Sequence, residues 1–204
     1  ERELTVMLLI DVSGSLDFGT SGMYQRDMVT EMAATLAFSA IQNNDKIGVI
    51  FFSDRIEKFI PPKKGRKHIL FIIRELLNFT PVSRKSDLSV ALEYLVRALN
   101  KRCISFILSD FLVKENYTQA LRIANKKHDV VAIQVYDQRL ASLPDVGLIK
   151  LLDAETGHEQ YVDTSSKRIR KLHAEWWKRH QDNLLTILHS SNIDSISYVP
   201  VTIT

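Results

Sequence analysis

The chain has 204 residues, 45% of them hydrophobic and 25% charged, which suits one sizeable soluble α/β domain with a single core. A net charge of +3 is too small to imply a nucleic-acid binder, and the single cysteine, Cys103, excludes an internal disulfide and fits a reducing compartment, the cytoplasm. No segment approaches the length of a membrane span and no signal peptide is visible, so no membrane contact is expected of this stretch. The chain starts at Glu1 without Met, directly before an apolar run. It reads as a piece of a longer protein, and a membrane anchor elsewhere in that protein stays open.

From Leu4 to Ile10 the chain has no charge and no breaker, as in an interior strand of a parallel sheet, buried on both faces. The run ends at Asp11. Ser13 and Ser15 follow at alternate positions around Gly14, where the backbone can turn sharply. Met23–Ile41 reads as a helix with Ala33, Ala37 and Ala40 on its apolar face. Lys46–Ser53 is a second buried strand, and Arg55–Ile60 is a short antiparallel edge strand that Pro61-Pro62 should end. A helix over Lys67–Leu77, a loop over Asn78–Lys85 and a helix from Ser86 to Leu99 come next. Cys103–Leu108 is a third buried strand, closed by Ser109-Asp110; a helix over Lys114–Lys127 leads to a fourth, Val130–Tyr136. Leu148–Leu152 and Glu159–Val162 flank the turn Glu155-Thr156-Gly157, like a hairpin at the far edge of the sheet. A long helix over Ser166–Leu188 should bury Ile169, Leu172, Trp176, Leu184 and Ile187, and Ile193–Val199 is the last strand.

Strands alternate with helices, so the fold class is α/β: a doubly wound, mostly parallel sheet with helices on both faces and one antiparallel edge strand, with residues 1–204 as one domain. Ligands of such sheets sit in the crevice outside the carboxyl ends of the strands. The antiparallel edge strand makes the helix at Lys67–Leu77 finish at that end, which delivers the loop Asn78–Lys85 there. Three loops then bring Asp11, Ser13, Ser15, Ser86 and Asp110 to one place. Carboxylate and hydroxyl oxygens suit a hard divalent cation, Mg²⁺ first, with Mn²⁺ or Ca²⁺ as alternatives. The plain alternative for Asp11–Ser15 is a strand end, a turn and a helix N-cap. Arg84 and Lys85 stand beside Ser86 and could attract an acidic partner; a solvated loop is the other reading.

Asp-x-Ser-x-Ser after a buried strand resembles the metal-ion-dependent adhesion site of von Willebrand factor A domains. Those domains supply a Thr from a second loop and an Asp from a third. Here these positions look to be Ser86 in SDLSVAL and Asp110 in ILSDF, with Phe111 where a Gly is usual. Longer blocks, ERELTVMLLIDVSGS, NNDKIGVIFFSDRIEKFIPPKKGRKHIL, FILSDF and DAETGHEQYVDT, look like the bacterial MoxR-associated von Willebrand A-type family, which carries the label domain of unknown function fifty-eight. The resemblance implies a MoxR-type AAA+ ATPase as neighbour or partner and supplies no known reaction. The leading reading is a metal-dependent protein-binding module, not an enzyme, working with that ATPase in protein assembly or maturation. Neutral hydroxyl ligands leave the cation's charge largely unquenched, so a partner protein is expected to offer a carboxylate at its open position.

Two other readings stay open. One is a metal-assisted phosphatase or hydrolase with Asp11 as nucleophile, which would want an acid–base partner; of Lys and His, only Lys85 lies in the three loops. The other is a structural domain with a vestigial metal site. The six histidines show no zinc-like spacing, and no phosphate-binding glycine motif is present. Lys63-Lys64-Gly65-Arg66-Lys67 falls at the opposite end, as a solvated loop or a docking patch. The bases and tryptophans of the long helix could bind nucleic acid, but core packing with a basic outer face accounts for them better.

Overall fold

The apolar runs become strands, and the polar, glycine- and asparagine-bearing stretches become the connections between them. In the computed structural model, which describes residues 3–14, 19–20, 23–113, 115–152 and 156–199, the elements run as follows. β1 (Thr5–Asp11) is followed by a two-residue pair, β2 (Gly19–Thr20) and β3 (Met23–Tyr24), and by α1 (Gln25–Gln42). β4 (Lys46–Phe52), β5 (Ile56–Lys63), α2 (Arg66–Asn78) and α3 (Leu88–Ala98) come next. β6 (Ile104–Ser109), α4 (Thr118–Lys127), β7 (Asp129–Val135) and a single turn, α5 (Gln138–Ala141), follow. β8 (Leu148–Leu152), β9 (Glu159–Asp163), α6 (Lys167–Ser190) and β10 (Asp194–Tyr198) complete the order. The main sheet has six strands in the order β10-β7-β6-β1-β4-β5. All its pairs are parallel except β4 with β5.

The alternation of side chains along β1 divides the interior into two cores. Val6, Leu8, Ile10 and Val12 pack with Met28, Val29, Ala33 and Ala37 of α1 and with Ile69, Ile72 and Leu76 of α2. Met7 and Leu9 pack on the other face, with Leu88, Ala91, Leu92 and Leu95 of α3, Leu121 and Ala124 of α4, and Leu184 and Leu188 of α6. Asp11 continues the second series. Its side chain is therefore directed to the face on which α3 begins.

Four expectations need correction. Pro61-Pro62 does not end the edge strand: β5 continues to Lys63, because an edge strand tolerates proline and the ladder shifts register between Ile47 and Val49. Gly48 sits at that shift. A Cβ there would lie 2.7 Å from the Ile60 carbonyl oxygen and 2.8 Å from the Pro62 nitrogen, so only glycine lets the edge strand approach this closely. The hairpin of β8 and β9 is a separate two-stranded sheet, and β10 forms the far edge instead. α3 starts after Ser86, since Asp87 caps it by accepting a hydrogen bond from the Ser89 amide (2.8 Å). On α6 the buried stripe runs through Trp177, Leu184 and Leu188, because Trp177 packs on Tyr136 past the end of β7 with ring centroids 4.9 Å apart. Trp176 and Leu172 are exposed. The expected start of the fourth helix at Lys114 lies outside the described residues; the helix is in place from Thr118. Among the described residues no helix is long and apolar enough to cross a membrane.

At the amino-terminal end of β6, Cys103 Sγ lies 3.2 Å from Nδ1 of His128, which has no solvent exposure. Burial pushes the thiol up and the imidazole down, the latter with help from Lys127 and Arg102. Both shifts favour the neutral forms, so the pair is a packed contact rather than a thiolate–imidazolium nucleophile. The depressed His128 imposes a sign on stability. An unfolded imidazole titrates near about 6.5 and takes up a proton that the native state refuses. Stability is therefore full above about pH 6.5 and declines as the pH falls below it. Urea denaturation across that range should show this decline, and His128→Asn should lessen it, leaving the part due to His180, whose imidazole burial also holds down.

Candidate metal centre

Asp11 ends the central strand with no solvent exposure. A buried carboxylate needs hydrogen-bond donors, and three are supplied. The Ser13 amide donates to Oδ1 at 2.9 Å. The hydroxyls of Ser86 and Ser109 donate to Oδ2 at 2.8 and 2.9 Å. Each donor comes from a different loop or strand end. Ser109 arrives by register: Ile10 of β1 pairs with Leu108 of β6, so the next residues, Asp11 and Ser109, end side by side on one face. Ser86 arrives because α3 packs on that face and Ser86 precedes its cap.

The third loop turns tightly. Asp110 Oδ1 accepts from the Leu112 amide at 3.0 Å, the Ser109 hydroxyl accepts from the Phe111 amide at 3.0 Å, and Gln134 Nε2 donates to the Asp110 carbonyl at 3.3 Å. Phe111 has φ 57°, a left-handed backbone that costs a non-glycine residue about 1–2 kcal/mol. Its ring is buried in the α3-side core, which offsets that strain.

The structure thus brings together Asp11, Ser13, Ser86 and the loop carrying Asp110, and all four residues are buried. Ser15 lies outside the described residues. Arg84 and Lys85 are exposed on the loop beside Ser86, where the Gly14 amide donates to the Arg84 carbonyl at 2.9 Å. Lys85 also stands near Asp54. Burial raises the Asp54 carboxyl, but the Ser83 hydroxyl, Arg55 and Lys85 outweigh burial and hold it below the usual range. Behind this rim, Glu57 of β5 accepts from the Ser53 hydroxyl (2.7 Å) and from the amides of Val82 (3.1 Å) and Ser83 (3.0 Å). Burial pushes the Glu57 carboxyl up, and these three donors bring it below its ordinary value. The sequence reading missed two of these residues. Ser109 is placed by a strand register that the residue pattern alone does not give, and Glu57 carries no local motif.

The donor set fits a hard divalent cation. Every group is oxygen, and two carboxylates supply charge. Ser86 and Ser109 turn their hydrogens to Asp11, which leaves hydroxyl lone pairs for a cation. Among the described residues no group of three or more His, Cys, Asp or Glu side chains is placed to hold a metal ion; the cluster here has two carboxylates, and serine hydroxyls make up the rest.

A six-stranded, mostly parallel sheet with one antiparallel edge pair and helices on both faces is the architecture of von Willebrand factor A domains. Within that class, the chain belongs to the family described as Protein of unknown function DUF58, which it matches over residues 1–183. It is 35% identical over 159 residues to the uncharacterized protein Rv1480 of Mycobacterium tuberculosis, covering 77% of this chain and 50% of that protein. The chain therefore spans about half the length of the curated relatives it matches first. Similar solved structures include an aerotolerance-related membrane protein from Bacteroides fragilis, with 15% identity, a TM-score of 0.66, and coverage of 96% of this chain and 91% of that one. The VWA domain of SpRpn10 follows at 11% identity and 0.52, covering 98% and 90%. Proximal thread matrix protein 1 of the mussel byssus, with its MIDAS motif occupied by zinc, is 16% identical at 0.52, covering 65% and 38%. Likeness at such identities shows the fold alone.

Removing the Ser109 hydroxyl leaves Asp11 one donor short in a buried site. Ser109→Ala should lower unfolding stability by about 2 kcal/mol, read from urea denaturation.

Proposed function

We propose that this chain is a metal-ion-dependent protein-binding module. The observation that carries the reading is the buried oxygen cluster of Asp11, Ser13, Ser86 and Asp110 at the carboxyl end of the sheet. Ser15 belongs to the set on its sequence position. Mg²⁺ is the cation that best suits these oxygens, with Mn²⁺ or Ca²⁺ as alternatives. When bound, it would supply an electrophilic position facing the crevice, open to a carboxylate from a partner protein. The serine hydroxyls are neutral and leave most of the cation's charge to be balanced from outside. Arg84 and Lys85 on the rim would speed the encounter with an acidic surface, a salt-sensitive effect. The partner that the family resemblance favours is a MoxR-type AAA+ ATPase, met in the cytoplasm during protein assembly or maturation.

The module is read as non-enzymatic. Both oxygens of Asp11 are engaged by protein donors, which opposes attack by that carboxylate on a phosphoester. Sustained, Asp11-dependent phosphate release from a generic phosphoester would overturn this part of the reading.

A ligand at a hundred times its dissociation constant stabilises the native state by about 2.7 kcal/mol. Thermal melts should therefore rise with Mg²⁺, and Asp11→Ala should abolish the rise. Capture of the ATPase should need Mg²⁺ and fail with Asp110→Ala. Full-strength capture in chelator would put the interface elsewhere, with Lys63–Lys67 as the next place to look.

A further inference from the structure

Ser86 reaches Asp11 from an irregular stretch, residues 79–87, that is itself neither strand nor helix. Its ends are fastened. The Phe79 ring stacks on Phe51 with centroids 4.7 Å apart, and Arg26 donates to the Phe79 carbonyl. At the other end, the Asp87 amide donates to the Ser53 carbonyl at 3.1 Å. The middle has no apolar anchor at Val82, whose side chain is 81% exposed. Further along, the Ser83 hydroxyl meets Asp54 and the Gly14 amide donates to the Arg84 carbonyl, while the backbone at Val82 and Ser83 is held by one carboxylate from a different element. Glu57, on the edge strand β5, accepts the Val82 amide at Oε2 and the Ser83 amide at Oε1. Oε1 also takes the Ser53 hydroxyl, and Ser53 is the residue whose carbonyl receives the Asp87 amide.

We propose that Glu57 is a positioning residue: it tethers the loop at Val82 and Ser83 and so holds the Ser86 hydroxyl at Asp11, ready for the cation. The part about the cation rests on the metal-binding reading above. A charged acceptor taking two successive backbone amides fixes both the position and the orientation of the peptide between them. The Ser53 hydroxyl in turn fixes the carboxylate. The edge strand thereby reaches the metal loop although it contributes no ligand. Outer partners of this kind typically govern metal affinity by about 10–100-fold.

The geometry gives a residue-resolved signature. In Glu57→Ala both amides lose their acceptor. In Glu57→Gln one side-chain oxygen stays an acceptor, while the amide nitrogen meets a backbone N–H that it cannot accept. Amide hydrogen exchange in chelator, without any metal, should therefore accelerate about tenfold or more at both Val82 and Ser83 in the alanine variant, and mainly at one of them in the glutamine variant. Amides of β1 should keep their protection, which reports an intact fold; if the alanine variant does not fold, the glutamine variant carries the test. Calorimetric titration with Mg²⁺ should then show affinity reduced by about 10–100-fold. Unchanged exchange at Val82 and Ser83 in folded variants overturns the tether. Faster exchange with unchanged Mg²⁺ affinity overturns its link to Ser86. If the parent protein binds no Mg²⁺, the metal reading falls, and the exchange result still decides the tether.

Discussion

A carboxylate withdrawn from water at the tip of the central strand is the constraint on which this end of the molecule depends. Asp11 is accommodated in the interior because donors surround it: the Ser13 amide just past the strand, the Ser86 hydroxyl before α3 and the Ser109 hydroxyl at the end of β6. Those donors lie 2, 75 and 98 positions away in the chain. One side chain therefore ties together three segments that strand pairing and helix packing bring to the same end of the sheet. The joining is mutual, since each serine is oriented by the same oxygen atoms that it stabilises. A cation that used these hydroxyls would enter a site whose geometry was largely fixed before it arrived.

Strand parity explains why the join occurs on the α3 side. Residues of β1 alternate between the α1–α2 core and the α3–α4–α6 core, and Asp11 falls in the second series after Met7 and Leu9. A one-residue slip of β1 would exchange all of these and turn the carboxylate toward α1. The apolar residues of β1 thus specify the site as strictly as the acid itself does. Phe111 belongs to the same logic: its buried ring holds a left-handed backbone where glycine would have been easier, so the third loop is anchored by packing rather than by backbone freedom.

Much of this was legible in the sequence, and the failures have physical causes. Continuous apolar runs gave the interior strands. The single antiparallel strand gave the polarity of α2, and with it the arrival of Arg84, Lys85 and Ser86 at the carboxyl end. The Pro61-Pro62 stop failed because the rule concerns strands paired on both sides, and β5 is paired on one. The α6 stripe held at Leu184 and Ile187 and missed at Leu172 and Trp176, because periodicity gives the presence of an apolar face but not its exact rotation, and it is Trp177 that packs on Tyr136. Ser109 was obscured by its neighbour Asp110, the more conspicuous donor. Glu57 was invisible because its role depends on two backbone amides of another loop, and an amide carries no residue identity.

The two edges of the main sheet differ in a way that bears on how the molecule meets copies of itself. β5 carries consecutive prolines, neither with an amide hydrogen, so an approaching strand would find part of the ladder missing there. β10 carries no proline between Asp194 and Tyr198, and Ile196 on it is exposed. Its backbone is fully equipped with donors and acceptors. The sheet is thus polar as a building element: blunted at the edge strand that carries Glu57, and extensible at the opposite one.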